Sequence, residues 1–226
     1  MALTREAEIA ENLFNVRTRI ATAAQSAGRK LDEMSLIVVT KTFPVSDIQI
    51  LKALGVNDFG ENRDNDACSK AAVIKSRWHF QGQIQSNKLK SICSWAQVIH
   101  SLDDIGHFEI IQRVATHPLE IFLQVNLDGS HNRGGVSIES LYPLAEQVEA
   151  DSRHTLAGLM AVAPLDSDPQ IVFSELHEMH STFCLDFPSA TKLSAGMSGD
   201  FETAIAHGAT HLRIGGQIMG SRQAGR

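Results

Sequence analysis

Ser35-Leu36-Ile37-Val38-Val39-Thr40-Lys41-Thr42-Phe43-Pro44 is the stretch on which the fold turns. The unbroken run of apolar and β-branched residues before Lys41 reads as a buried strand. Pro44 biases Phe43 away from helix and ends the extended segment. Lys41 therefore stands where a buried strand empties into a loop. A lysine in that place often snorkels to water. A desolvated one can lose its proton, and a neutral amine attacks aldehydes. The stretch alone leaves both readings open.

Working outward, residues 3–27 are predicted as an amphipathic helix, with Ile9, Leu13, Val16, Ile20 and Ala24 on one stripe and Gly28 as its stop. After the lysine, Ser46 or Asp47 is placed to cap a helix with the face Ile48, Leu51 and Leu54, closed by Gly55. Strands are then predicted at 56–60, 78–81, 98–102, 120–126, 156–160, 191–194 and 211–214, and helices at 64–75, 86–94, 103–115, 138–150, 169–183 and 200–207. Eight strands alternating with helices imply a parallel sheet. At 226 residues they imply one closed (β/α)8 TIM-type barrel with an extra N-terminal helix, a single domain over 1–226. The longest irregular stretch, 127–136, contains Gly129, Gly134 and Gly135 and is predicted to be a βα loop.

Composition narrows the function classes. A net charge of −6 with no basic stripe argues against nucleic acid as a partner. No run approaches a membrane span, and the N-terminus lacks the apolar region of a signal peptide. Cys68, Cys93 and Cys184 are odd in number and match no zinc spacing, which suits a reducing, cytoplasmic setting.

Active sites of such barrels lie at the C-terminal ends of the strands. That rule selects Lys41, Gly60-Glu61-Asn62, Gln81-Gly82, Ser101, Asn126, Met160, residues 194–198 and residues 213–216. Ser198 lies just before a predicted helix, and Gly215 and Gly216 allow close approach of backbone to a phosphate. The alternative is a pair of glycine turns with Ser198 as an N-cap. Arg213 shares a strand face with His211 and needs a partner, either an acid such as Glu61 across the mouth or a ligand heteroatom. A ring nitrogen facing a guanidinium would accept a hydrogen bond and stay unprotonated. Trp78 and Phe80 read as core. Asn62 could cap a helix or touch a ligand.

Taken together, Val39-Thr40-Lys41-Thr42 with Pro44, Asp58-Phe59-Gly60-Glu61-Asn62, Trp78-His79-Phe80 with Gly82, Gln85, Asn87 and Lys88, Gly158-Leu159-Met160, Gly196-Met197-Ser198 with Asp200, and Arg213-Ile214-Gly215 with Gly220 resemble the pyridoxal-phosphate homeostasis protein family. These are single-barrel relatives of the alanine racemase N-terminal domain. The resemblance implies pyridoxal 5′-phosphate held as an internal aldimine on Lys41, with its ring nitrogen facing Arg213 and its phosphate on Ser198 and the Gly215-Gly216 backbone. It implies pocket contacts from Asn62 and His79, a role in vitamin B6 homeostasis without established turnover, a monomer, and apo-enzymes as recipients. Gln81, Phe43, Arg133 and Gly216 depart from the family pattern, where Ile or Val, a lysine, a lysine, and threonine or serine are usual. The competing reading is a racemase-like enzyme, which needs acid/base groups on both faces of the substrate carbon. Racemases on this barrel take a tyrosine from an additional β domain. No such domain is expected after the last predicted strand, and Tyr142 falls inside a predicted helix.

Overall fold

The apolar run after Met34 forms β1 (Ser35–Val39), and both its neighbours pair with it in parallel. In the computed structural model, which describes residues 3–130, 133–164 and 166–220, eight parallel strands close into a barrel in sequence order. The others are β2 (Asp58–Glu61), β3 (Arg77–Phe80), β4 (Val98–Leu102), β5 (Glu120–Gln124), β6 (Thr155–Met160), β7 (Lys192–Ser194) and β8 (His211–Ile214). The helices are α1 (Arg5–Ser26), α2 (Val45–Ala53), α3 (Asp64–Val73), α4 (Leu89–Trp95), α5 (Ile105–Val114), α6 (Ile138–Glu149), α7 (Pro169–Asp186), α8 (Phe201–Ala206) and α9 (Gly216–Met219). The predicted element types are all present. The helix that follows the last strand is short, and it begins at Gly216.

Burying its stripe of Ile9, Leu13, Val16, Ile20 and Ala24, α1 packs on α2, α8 and α9. Its first residue ties three helices together. Arg5 donates to Asp47 Oδ2 through Nε at 3.1 Å and Nη2 at 2.6 Å, and to the Met219 carbonyl at 2.9 Å. Asp47 is thereby withdrawn from capping, and α2 starts at Val45 after Pro44 with no side-chain cap. No helix among the described residues is long and apolar enough to cross a membrane.

The main apolar core lies between strands and helices, where Val38, Phe59, Trp78, Leu123 and Leu193 face outward. The barrel interior is different. It holds a small apolar cluster of Val98, Phe122, Ala157 and Met160. Below it, at the N-terminal mouth, Glu120 accepts from Arg77 Nη2 at 2.5 Å and from Lys192 Nζ at 2.7 Å. Around it sit His79, His100 and His211, all buried. His100 stacks on Phe122 with ring centroids 4.5 Å apart.

Burial lowers the pKa of all three histidines, that of His211 to about 3 and that of His100 well below its usual 6.5. The folded protein keeps these rings neutral, while the unfolded chain binds their protons near pH 6.5. Their contribution to stability is complete above that pH and is lost as the pH falls, for His211 down to about 3. Each group contributes a slope of about 1.4 kcal/mol per pH unit within its window. Urea denaturation midpoints should fall steadily from neutrality to about pH 4. In His211→Gln that fall should be shallower by about one group's share.

Candidate functional site

Lys41 is held by what lies beside it. β1 ends at Val39, two residues sooner than the sequence suggests, although Thr40 N still donates to the Gly60 carbonyl at 3.0 Å. Thr40 Oγ1 donates to Glu61 Oε1 at 2.7 Å. Lys70 Nζ donates to the same oxygen at 2.6 Å and to the Thr40 carbonyl at 2.8 Å. Glu61 is fully buried, so this ion pair anchors the backbone just before Lys41 within the strand–helix layer. Glu61 therefore pairs with Lys70, not with Arg213 across the mouth. Thr42 follows at φ 70°, a left-handed conformation that is uncommon for a β-branched residue and recurs at functional sites. Lys41 itself is half-buried and makes no hydrogen bond or ion pair among the described residues. Sequence reasoning missed Lys70. The available signal was its spacing, three residues after Ala67 and four before Ile74, which puts it on the apolar face of α3.

Two amide side chains flank this lysine at the ends of β2 and β3. Gln81 lies over Gly60, whose missing Cβ would come within 3.2 Å of Gln81 Nε2 and 3.0 Å of Ile37. Asn62 leaves capping to others, since the residue before α3 is Arg63 and carries no side-chain cap bond. Asn62 Oδ1 and Gln81 Oε1 are both buried without a hydrogen-bond donor. Buried amide oxygens are rarely left unpaired in a native protein, and these two lie at neighbouring strand ends. Gly82 fixes the spacing of these ends, because a Cβ there would meet the Asn62 carbonyl at 2.2 Å.

On the opposite side, Arg213 reaches inward from β8, level with Ile37 of β1. Its Nη1 donates to the Ser194 carbonyl and to Ser194 Oγ, both at 2.7 Å, and its Nη2 donates to the Ala161 carbonyl at 2.8 Å. Nε–H and one hydrogen of Nη2 have no acceptor among the described residues. Burial lowers its pKa from 12.5 to about 10, so the guanidinium stays charged at neutral pH. Above it, Gln217 Nε2 donates to the Ser198 carbonyl and ties the loop after β7 to α9. Ser198 is not an N-cap. Asp200 precedes α8 and accepts from Met197 N at 2.6 Å. The main-chain N–H groups of Ser198, Gly199, Gly216 and Gln217 have no backbone acceptor among the described residues. Such a cluster of free N–H groups is a cradle for an anion.

The structure thus brings Lys41, Asn62, Ser198, Arg213, Gly215 and Gly216 to one barrel mouth and leaves His79 below it. His79 is fully buried, with Nε2 3.0 Å from Asp58 Oδ1 and Nδ1 2.9 Å from His100 Nε2, so neither nitrogen is free for a ligand. Arg133 lies on the rim beyond β5, donating to Asp128 at 3.1 Å and to the carbonyls of Val162 at 3.2 Å and Ala163 at 3.3 Å. Phe43 lies under the Arg5 guanidinium, 5.6 Å from its ring centre. Tyr142 packs on Phe183 and Phe187 in the helix layer, away from the mouth.

Barrel, lysine and anion cradle together define the class: residues 12–223 match the alanine racemase N-terminal domain. Curated relatives refine this. The chain is 38% identical over 229 residues to the pyridoxal phosphate homeostasis protein of Pseudomonas aeruginosa, covering 96% of this chain and 97% of the relative. It is 36% identical over 240 residues to that of Mycobacterium leprae, covering 96% and 93%. The structure of PipY from Synechococcus elongatus with PLP bound superposes with a TM-score of 0.82 at 30% identity, covering 94% of this chain and all of that one. Alanine racemase from Corynebacterium glutamicum shares the fold at TM-score 0.68 and 16% identity, with 62% of its length covered. The chain belongs to the pyridoxal phosphate homeostasis protein family.

The Glu61–Lys70 pair gives a direct test of how Lys41 is held. Lys70→Met leaves a buried carboxylate without its cation and should cost about 3–5 kcal/mol of stability by urea denaturation. Adding Glu61→Leu to it should recover most of that loss, because the uncompensated charge is gone.

Proposed function

We propose that this protein binds pyridoxal 5′-phosphate covalently through Lys41 and serves as a carrier or reservoir of it in the cell, without catalytic turnover. The observation that carries the reading is the pairing, at one barrel mouth, of an unpartnered lysine with an acceptor-free cluster of main-chain N–H groups. When bound, the cofactor supplies an aldehyde carbon, which condenses with a neutral amine with loss of water. Everything else is done by the chain. Lys41 offers the amine from a backbone fixed by Thr40. Ser198 and the Gly215-Gly216 backbone hold the phosphate. Arg213 would offer the ring nitrogen a hydrogen from Nε or Nη2, and the amide groups of Asn62 and Gln81 would line the wall beside the ring. The curated relatives bear the name pyridoxal phosphate homeostasis protein, and PipY holds PLP in its structure, which supports the same assignment.

Two features favour a carrier over a racemase-like enzyme. A charged Arg213 can only donate, so the ring nitrogen it faces stays unprotonated and is a weak electron sink. Tyr142, the chain's one tyrosine, is packed in the helix layer and cannot serve as an acid or base at the mouth. Apo-enzymes that require the cofactor are the partners this reading implies, and the protein works as a monomer in the cytoplasm.

Borohydride should fix the cofactor to the peptide containing Lys41, and Lys41→Ala should lose the visible absorption band of the bound cofactor. A label mapped to a different lysine would refute the assignment. Gly216 supplies a second test. Its backbone is outside the left-handed region and nothing lies within 4 Å of an added Cβ, so a hydroxyl side chain fits without strain. A hydroxyl there could donate to the phosphate for about 1 kcal/mol net after the displaced water is counted. Gly216→Thr is therefore expected to tighten binding roughly fivefold in equilibrium dialysis.

A further inference from the structure

Below the mouth, an unbroken line of hydrogen bonds crosses the barrel interior. Asp58 stands at the start of β2, at the N-terminal mouth, and its Oδ1 lies 3.0 Å from His79 Nε2. His79 Nδ1 lies 2.9 Å from His100 Nε2, and His100 Nδ1 lies 2.8 Å from Ser194 Oγ. Ser194 Oγ accepts from Arg213 Nη1 at 2.7 Å. Its two ends fix the direction of every bond. The Asp58 carboxylate only accepts, so His79 Nε2 carries the hydrogen and His79 Nδ1 accepts from His100 Nε2–H. His100 Nδ1 is then an acceptor, and Ser194 must give it the single hydroxyl proton. Ser194 Oγ is left with lone pairs alone toward Arg213. Burial keeps both imidazoles neutral, which this arrangement requires.

We propose that Asp58, His79, His100 and Ser194 form a directional hydrogen-bond chain that positions Arg213 and sets how strongly its guanidinium holds the ring nitrogen of the cofactor. This rests on the assignment of the Lys41 mouth as a pyridoxal phosphate site. Among the described residues Arg213 has no carboxylate bonded to it, although it is almost wholly buried. The chain gives it the next best partner, a hydroxyl oxygen polarised through two imidazoles by a carboxylate at the far mouth. Hydrogen bonds in series strengthen one another in a low dielectric. Ser194 Oγ and the carbonyls of Ser194 and Ala161 together fix the guanidinium plane, leaving its other hydrogens aimed out of the chain. In this role Asp58, His79, His100 and Ser194 are positioning residues, for none of them faces the ligand.

The test compares wild type with His100→Phe, Asp58→Asn and Glu120→Gln. Each is loaded with pyridoxal phosphate carrying an isotope label at the ring nitrogen. Phenylalanine keeps the stack on Phe122 and removes both bonds of the chain. Asparagine keeps an acceptor for His79 but removes the charge. Glu120 is a carboxylate at the same mouth outside the chain, so Glu120→Gln measures the general field of one lost charge. The ring-nitrogen resonance should move in His100→Phe, and in the same direction by less in Asp58→Asn. Binding in the first should weaken roughly three- to tenfold. Borohydride should still place the label on Lys41, and Glu120→Gln should match wild type. Wild type without a Lys41 adduct would overturn the cofactor assignment and this proposal with it. A labelled wild type whose folded His100→Phe and Asp58→Asn variants keep its resonance and affinity would overturn the chain alone. So would a Glu120→Gln shift equal to that of Asp58→Asn. If His100→Phe does not fold, Asp58→Asn decides by itself, since its side chain is 31% exposed and the substitution is nearly isosteric.

Discussion

An arginine buried inside a barrel, with no carboxylate bonded to it among the described residues, is the constraint on which much of this structure depends. Removing a guanidinium from water is costly unless its hydrogens find acceptors. Arg213 meets that demand with the carbonyls of Ser194 and Ala161 and with Ser194 Oγ. The barrel interior around it is not filled with aliphatic layers as in many barrels of this kind. His79, His100 and His211 take up space that leucine or valine would otherwise fill, and Phe122 and Met160 supply the apolar packing between them.

The two mouths are specialised in opposite ways. At the N-terminal mouth charges are paired, with Glu120 between Arg77 and Lys192. At the C-terminal mouth polar groups are left open: Lys41, the oxygens of Asn62 and Gln81, and main-chain N–H groups of two adjoining loops. Saturated polar groups give stability and open ones give binding, so this mouth is where a ligand gains the most. The open groups are also held rigidly. Lys70 and Glu61 anchor Thr40 from the helix layer, and Gln217 links the loop after β7 to α9. That rigidity limits the entropy lost when a ligand is bound.

The likeness to alanine racemase at 16% identity is one of fold alone. What this chain does differently is visible in its own residues. Arg133 bridges two carbonyls beyond β6 as well as Asp128, a fork that a lysine point charge would not span in the same way. Phe43 lies beneath Arg5, so it extends the contact of α1 with the rim of the mouth instead of adding a second cation beside Lys41. Gln81 puts an amide at the end of β3, over Gly60, and its oxygen is buried without a donor.

The sequence by itself determined the barrel. The alternation of apolar runs with amphipathic stretches is a local property, and the strands and helices it marks are those observed, within a few residues. The stripe of α1, the strand before Lys41 and the rule that ligands bind at strand ends were all legible without long-range information. The placement of Lys41, Arg213, Gly215 and Gly216 at or just beyond strand ends was legible too, while Ser198 lies in the loop four residues after β7. Only the tertiary structure decided which polar groups meet. Lys70 is nine residues from Glu61 and reads as a surface lysine until α3 folds back on β2. Asp47 reads as a cap until Arg5, 42 residues away, claims it. The resemblance implies a pocket contact for His79, and closure of the barrel sets it instead between Asp58 and His100. The reason is the same in each case. The burial pattern along a chain fixes which face of an element is covered, but the partner of a buried charge is chosen by closure of the barrel, which joins residues far apart in sequence.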